Sequence, residues 1–329
     1  MAAALPSELS ELIEISREVG RDPDLVQGGG GNTSVKSRDR KTMFIKTSGS
    51  ALVEMDGSSG WAELDLEAAR YVIGDRDLAG LDPAAREKEV LRLLEAAVKK
   101  PCGARPSVES SLHALLGRVV IHTHPVGLNA FLCSRGSRAA YRKLIGDKHG
   151  APLYVTFVDP GYKLALRVAR GIDVYWSEHD RRPAVVLLEN HGLFVSAEEP
   201  AACLKISREI TDLGKKWIGG RRINPLEAGW TVEAAPAAKL NGASLPLHLA
   251  ELRGALLKAG CAPLLLRRDG SATASDLLDD DAAARAAAQG AFTPDQIVYC
   301  RARSLILKGG AFDEWPAEVA DYRERHGDP

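Results

Sequence analysis

Apolar positions recur along this chain with two periods, and the change from one to the other outlines its elements. Leu9, Leu12, Ile13, Ile15 and Val19 are spaced for one face of a helix, so Glu8–Val19 is expected to open the chain as an amphipathic helix. The same period predicts helices over Glu63–Val72, Arg86–Val98 and Glu198–Ile218. Short apolar runs predict strands at Met43–Lys46 and Val119–Thr123, the second buried. Ala184–Ser196 is another apolar run, broken by Asn190-His191-Gly192, residues that suit a turn or bulge. Pro106–Leu116 reads as a helix start with Ser107 as N-cap and Glu109 in the first turn.

Composition shifts at Gly219-Gly220-Arg221-Arg222 and through the Ala/Pro/Gly-rich stretch Glu233–Pro246. The expected organisation is therefore a catalytic domain over residues 1–222, a linker over 223–246 and a small C-terminal α/β domain over 247–329. In that last part helices are expected at Leu249–Ala259 and Ala282–Ala288, and strands at Pro263–Arg267, Ile297–Cys300 and Ser304–Leu307. It carries no metal or nucleophile constellation, and packing or assembly is its expected role.

Charge narrows the partners. The 43 basic and 44 acidic residues cancel, which leaves no electrostatic footprint for nucleic acid or an anionic membrane. No run of about 18 apolar residues occurs, and Met1–Ser10 lacks the basic-then-apolar order of a secretory leader. Five dispersed cysteines without a C-x-x-C fit reduced thiols and a cytoplasmic setting.

The candidate chemistry centres on His122-Thr123-His124-Pro125. Alternate strand residues share a face, so this H-x-H aims both imidazoles into one space. With His191, three neutral imidazoles can hold a divalent cation, zinc by ligand type, and leave one coordination position open. Alone, an H-x-H is equally compatible with ordinary strand-end histidines. Glu109 on the preceding helix can turn toward such a metal, whereas Glu109 and His113 four residues apart also fit a surface pair. Upstream, Gly28–Ser34 and Lys46–Ser50 offer backbone N–H groups and hydroxyls to an anion. A dinucleotide fingerprint fails because Thr33 or Ser34 stands where a third glycine is required, and a Walker pattern fails at Val35.

Five motifs in order, Gly31-Asn32-Thr33-Ser34, Thr47-Ser48-Gly49, Pro106-Ser107-Val108-Glu109, His122-Thr123-His124-Pro125 and Asn190-His191-Gly192, resemble the class II aldolase/adducin family over roughly residues 7–220. Within it the chain is most similar to the aldolase portion of bifunctional rhamnulose-phosphate aldolase/lactaldehyde dehydrogenase proteins, a segment of which Phe292–Tyr299 also resembles. The resemblance implies a three-layer α/β/α domain with a central mixed sheet. It also implies metal-dependent cleavage of a phosphorylated ketose, rhamnulose or fuculose 1-phosphate in kind, to dihydroxyacetone phosphate and an aldehyde. His122, His124 and His191 would hold the metal, which acts as a Lewis acid on the ketone and stabilises an enediolate. Glu109 would shuttle the proton. Gly31, Asn32, Thr47, Gly49 and Ser107 would bind phosphate, and Tyr141 or Tyr162 would protonate the leaving aldehyde. A closed homo-oligomer, commonly a tetramer, is implied too. Val108 departs from the second hydroxyl residue usual before the glutamate, so Lys46 compensates or the substrate carries a different anion. Epimerase, dehydratase and 3-oxo-acid phosphate decarboxylase chemistry stays open on the same scaffold because it uses the same enediolate-stabilising metal, and a non-catalytic adducin-like module, which needs no ligands, is the other alternative.

Overall fold

A computed structural model describes residues 5–75, 77–100, 104–219, 245–266, 287, 290–291, 293–307 and 312–327. Two units divide the chain, Met1–Arg221 and Arg222–Pro329.

In the first unit the strands are β1 (Asn32–Lys36), β2 (Thr42–Lys46), β3 (Trp61–Asp65), β4 (Val98–Lys100), β5 (Val119–Thr123), β6 (Leu153–Val155), β7 (Val185–Leu188) and β8 (Gly192–Ala197). They form one sheet in the order β4-β3-β2-β1-β5-β8-β7-β6, antiparallel throughout except for the parallel pair β6 and β7. The helices are α1 (Ser7–Gly20), α2 (Leu66–Gly74), α3 (Pro83–Ala96), α4 (Ser110–Leu115), α5 (Val126–Leu132), α6 (Ser137–Ile145), α7 (Tyr162–His179) and α8 (Pro200–Gly219).

Strand alternation sorts these helices into two layers. Val35, Val119, Ile121, Val185, Leu187, Leu193 and Val195 pack with Leu9 and Leu12 of α1, Leu128 and Phe131 of α5 and Ile210 of α8. The alternate residues Val120, Val186, Leu188 and Phe194 pack with Leu112 of α4 and Leu164 and Val168 of α7, and Met43, Ile45, Ala62 and Leu64 pack with Ala69 of α2. The result is the three-layer α/β/α arrangement with a mixed central sheet that the family resemblance implies. Core strand residues such as Val119 and Ile121 are wholly buried, each contributing roughly 1.5–3 kcal/mol of transfer free energy.

Several expected boundaries are corrected. Glu63–Asp65 belong to β3, not to a helix, because the Asp65 side chain accepts from Ala68 N (3.0 Å) and starts α2 at Leu66. Val98 ends the expected third helix by pairing with Leu64 in the sheet. α4 itself begins later than expected, with Glu109 just before Ser110 at φ −91° and ψ 10°, while Ser107 Oγ accepts from Glu109 N (3.3 Å) in the turn that leads into it.

The second unit is described through helices at Leu245–Lys258, Pro294–Cys300 and Trp315–His326. Ile297–Cys300, expected as a strand, is helical: Thr293 accepts from Gln296 N (3.2 Å) and Pro294 takes the first helical position, which overrides the β-branched run. Pro263–Leu266 and Ser304–Leu307 are not strands either. Arg267, nearly all of the expected linker 223–246 and most of the expected helix Ala282–Ala288 lie outside the described residues.

Candidate metal centre

β5 ends in His122-Thr123, with His124 directly after it. The β5 register sets Asn32 of β1 beside His122 and His122 beside Phe194 of β8, so one rung across three strands points toward α4. His122 is fully buried and stacks on Phe194, with centroids 4.0 Å apart and rings 16° from parallel. Its Nδ1–H donates to Leu193 O (3.0 Å), which leaves the Nε2 lone pair facing His124 Nε2 at 2.9 Å. Burial, then the neighbouring His124 and His191, hold the His122 proton affinity well below the usual imidazole range, so the ring is neutral.

His191 arrives from the turn between β7 and β8. Asn190 takes a left-handed φ of 55°, a conformation asparagine tolerates, and Asn129 Nδ2 donates to His191 O (3.0 Å). Gly192 is required here for lack of room: a Cβ would stand 2.5 Å from Thr123 O and 2.8 Å from His124 Cδ2. One nitrogen from each of the three buried histidines falls within 4.8 Å of the other two.

Glu109, 8% exposed, faces this cluster from the start of α4. Its Oε2 is 3.4 Å from His122 Nε2 and its Oε1 is 3.6 Å from His191 Nε2. A directed chain of hydrogen bonds holds the carboxylate. Asn32 Nδ2 donates to Glu109 Oε2 (2.7 Å), so Asn32 Oδ1 is the acceptor for His113 Nε2–H. His113 is wholly buried and its proton affinity is lowered by burial first and Lys36 second, so its Nδ1 accepts from the Ser34 hydroxyl (2.8 Å). His113 is thus an interior residue, not half of a surface pair. Glu109 Oε1 has no hydrogen-bond partner among the described residues. Three buried imidazoles beside a buried carboxylate oxygen that accepts no hydrogen bond form a donor set suited to a divalent transition metal with a position left for substrate.

The residues expected to bind phosphate converge on the same region. Lys46 Nζ donates to Gly29 O (3.2 Å) and Thr47 O (3.4 Å), joining the glycine run to the Thr-Ser-Gly turn. Thr47 bridges to Pro106, and Ser107 N donates to Lys46 O (3.1 Å). Gly31 (φ 68°) lies so close to β5 that a Cβ would meet His122 O at 2.7 Å, whereas Gly49 (φ 83°) has open space around it. Asn32 is the exception, because both ends of its amide are engaged by Glu109 and His113. Tyr141 is placed elsewhere: its ring lies 4.8 Å from that of Tyr154, its hydroxyl accepts from Arg142 Nε (3.1 Å), and it lines a separate cavity of about 340 Å³. The Tyr162 hydroxyl donates to Asp75 O (3.3 Å).

Sequence reasoning missed the stacking partner Phe194 and the positioning roles of Asn32, Ser34 and His113. The one available signal was the period-2 row Asn32, Ser34, Lys36, which a polar loop would not require.

Residues 10–215 match the model of a family described as Class II Aldolase and Adducin N-terminal domain. A curated protein of Bacillus subtilis (strain 168), named as the uncharacterized oxidoreductase YuxG, is 28% identical over 243 residues, 68% of this chain. The chain spans 33% of that relative's length. Among solved structures, the N-terminal class II aldolase domain of a conserved protein from Thermoplasma acidophilum superposes with a TM-score of 0.54 at 23% identity, covering 66% of this chain and 97% of that one. An L-fuculose-1-phosphate aldolase from Thermus thermophilus gives a TM-score of 0.39 at 18% identity over 64% of this chain and 96% of that one. The family match and the Thermoplasma superposition carry the family and the fold, and not the narrower bifunctional type.

Proposed function

Because the chain belongs to the class II aldolase and adducin family, we propose that it is a metal-dependent aldolase cleaving a ketose 1-phosphate to dihydroxyacetone phosphate and an aldehyde. The observation that supports this reading is Glu109, with one carboxylate oxygen 3.4 Å from His122 Nε2 and the other 3.6 Å from His191 Nε2.

His122, His124 and His191 would hold zinc or a similar divalent ion, which supplies Lewis acidity toward the oxygens of a hydroxyketone. Glu109 handles the proton at the carbon whose bond to the leaving aldehyde breaks. The Ser34–His113–Asn32 chain keeps the carboxylate aimed, so that little reorganisation accompanies proton transfer. With the Asn32 side chain engaged there, the phosphate falls to Gly31, Thr47, Gly49 and Ser107, with Lys46 nearby. Losing a second hydroxyl at Val108 would weaken phosphate binding by about 1.5–3 kcal/mol, which Lys46 can offset. A deoxyketose such as rhamnulose or fuculose 1-phosphate, giving lactaldehyde, is the favoured substrate. The thiols of Cys133 and Cys203, in no disulfide and pushed up to about 11 and about 12 by burial, suit a reducing, cytoplasmic setting.

The test is a panel of ketose 1-phosphates with the zinc-loaded chain, reading dihydroxyacetone phosphate release before and after chelation. Glu109→Gln is expected to keep its metal and lose roughly 10²–10⁴-fold in turnover. If no phosphorylated ketose is cleaved, the aldolase reading fails and the panel passes to 3-oxo-acid phosphates and sugar-phosphate epimers. Normal turnover of the Glu109→Gln variant would remove Glu109 from the proton transfer.

A further inference from the structure

The strands that carry the histidines have a second cluster at their other end. β5 and β8 run antiparallel with Val119 opposite Ala197, so the start of β5 and the end of β8 lie away from His122 and Gly192. There Gly117, Ser196 and the end of α7 border a cavity of about 530 Å³, which Arg40, Arg70 and Arg182 also line.

Four arginines line it, Arg181 being the fourth, against two carboxylates, Asp180 and Glu198, so its charges do not balance. Arg40 Nη2 binds both oxygens of Glu198 (2.9 and 3.0 Å). Arg70 and Arg182 have no carboxylate partner among the described residues: Arg70 Nε donates to Ala114 O (2.9 Å), and Arg182 Nη1 donates to Leu115 O and to Leu116 O (3.4 Å). Behind them Lys36, wholly buried, donates to Gly117 O (2.6 Å). Burial and mutual repulsion lower the proton affinity of Arg70, Arg182 and Lys36 alike. Satisfying the last carbonyls of α4 accounts for one nitrogen of each of the two arginines. Each guanidinium carries five N–H donors in a planar fork, so most remain unspent. Forks of this kind match the oxygens of a phosphate in pairs, and a bound phosphate would relieve the repulsion that the protein's own carboxylates leave in place.

We propose that this arginine-lined cavity binds a small phosphate anion, free or as a phosphate ester, separately from the histidine centre. Neither the proposed aldol cleavage nor any of the five motifs uses these residues.

Calorimetric titration of the full chain tests it, with inorganic phosphate, pyrophosphate and glycerol 3-phosphate as probes. Arg182→Gln should weaken the preferred probe by about tenfold, the loss expected of one hydrogen bond to a charged group. Glu198→Gln removes the one carboxylate paired inside the cavity and should tighten the same probe severalfold, a gain that misfolding cannot imitate. Tightest binding of inorganic phosphate assigns a free anion, and preference for glycerol 3-phosphate or pyrophosphate assigns an ester or a diphosphate. Equal affinity in wild type, Arg182→Gln and Glu198→Gln overturns the proposal, as does wild-type protein that binds none of the three.

Discussion

Gly192 is the residue at which the histidine cluster has least room. A methyl group there would press on Thr123 O and His124 Cδ2 at 2.5 and 2.8 Å, and the backbone is pinned by pairing of Gly192 with Leu188 and of Leu193 with Thr123. Gly192→Ala should therefore displace His124, lower the metal content and cost about 1–3 kcal/mol as an overpacked site. Elemental analysis alongside urea unfolding checks this, and full metal content with an unshifted midpoint would contradict it. At this scale the histidines were legible because H-x-H parity is a local property of a strand and Asn-His-Gly is a local motif. His113 was not: its partners Ser34 and Asn32 lie 79 and 81 residues away, and no spacing along the chain reports that. Tyr141 was assigned by family habit with no motif behind it, and its contacts are with Tyr154 and Arg142.

At the level of elements, caps and buried polarity decided where periodicity misled. Leu64, Leu66, Ala68, Ala69 and Val72 imitate one helical stripe, yet the stripe joins the end of β3 to α2, and Asp65 marks the junction. Asp65→Ala should lower stability by about 1 kcal/mol, the usual value of an N-cap, read by chemical denaturation. The Ala68 N–H holds the Asp65 carboxyl below its ordinary 3.8. A carboxyl lowered on folding contributes fully above its unfolded pKa, and the contribution is lost as pH falls through the folded value. Asp65→Asn should accordingly flatten the acid side of the stability curve below about pH 4 and leave neutral pH little changed. A curve parallel to wild type down to acid would reject the charge as part of the cap. β1 escaped the hydrophobic pattern for a related reason. Its α4-facing residues Asn32, Ser34 and Lys36 are buried and polar, so a strand holding part of the candidate site reads like loop.

For the whole molecule, motif order outlined the first unit, whereas the second has no metal or nucleophile constellation and only short apolar runs, one of which the Thr293 cap turned into helix. Assembly is the property that neither unit displays alone. Tyr141, the proton donor suggested by family resemblance, lies in a cavity with Tyr154 and the exposed Val174. Family resemblance places active sites at subunit boundaries, so a Tyr141 that serves catalysis is expected to act on the histidines of a neighbouring copy. Exposed apolar residues do not by themselves mark an interface, so activity is the property that would reveal one. Specific activity measured with sedimentation over a dilution series should fall in step with dissociation, and a fully active monomer would end the shared-site reading. Complementation is the sharper arm. Glu109→Gln and Tyr141→Phe subunits, each expected to lose about 10²-fold or more alone, should regain activity when unfolded and refolded together, because some mixed boundaries then pair an intact Glu109 with an intact Tyr141. Two groups within one subunit could never be reunited by mixing, so absence of recovery in verified mixed oligomers would return the proton donor to the same chain as the histidines, or to water.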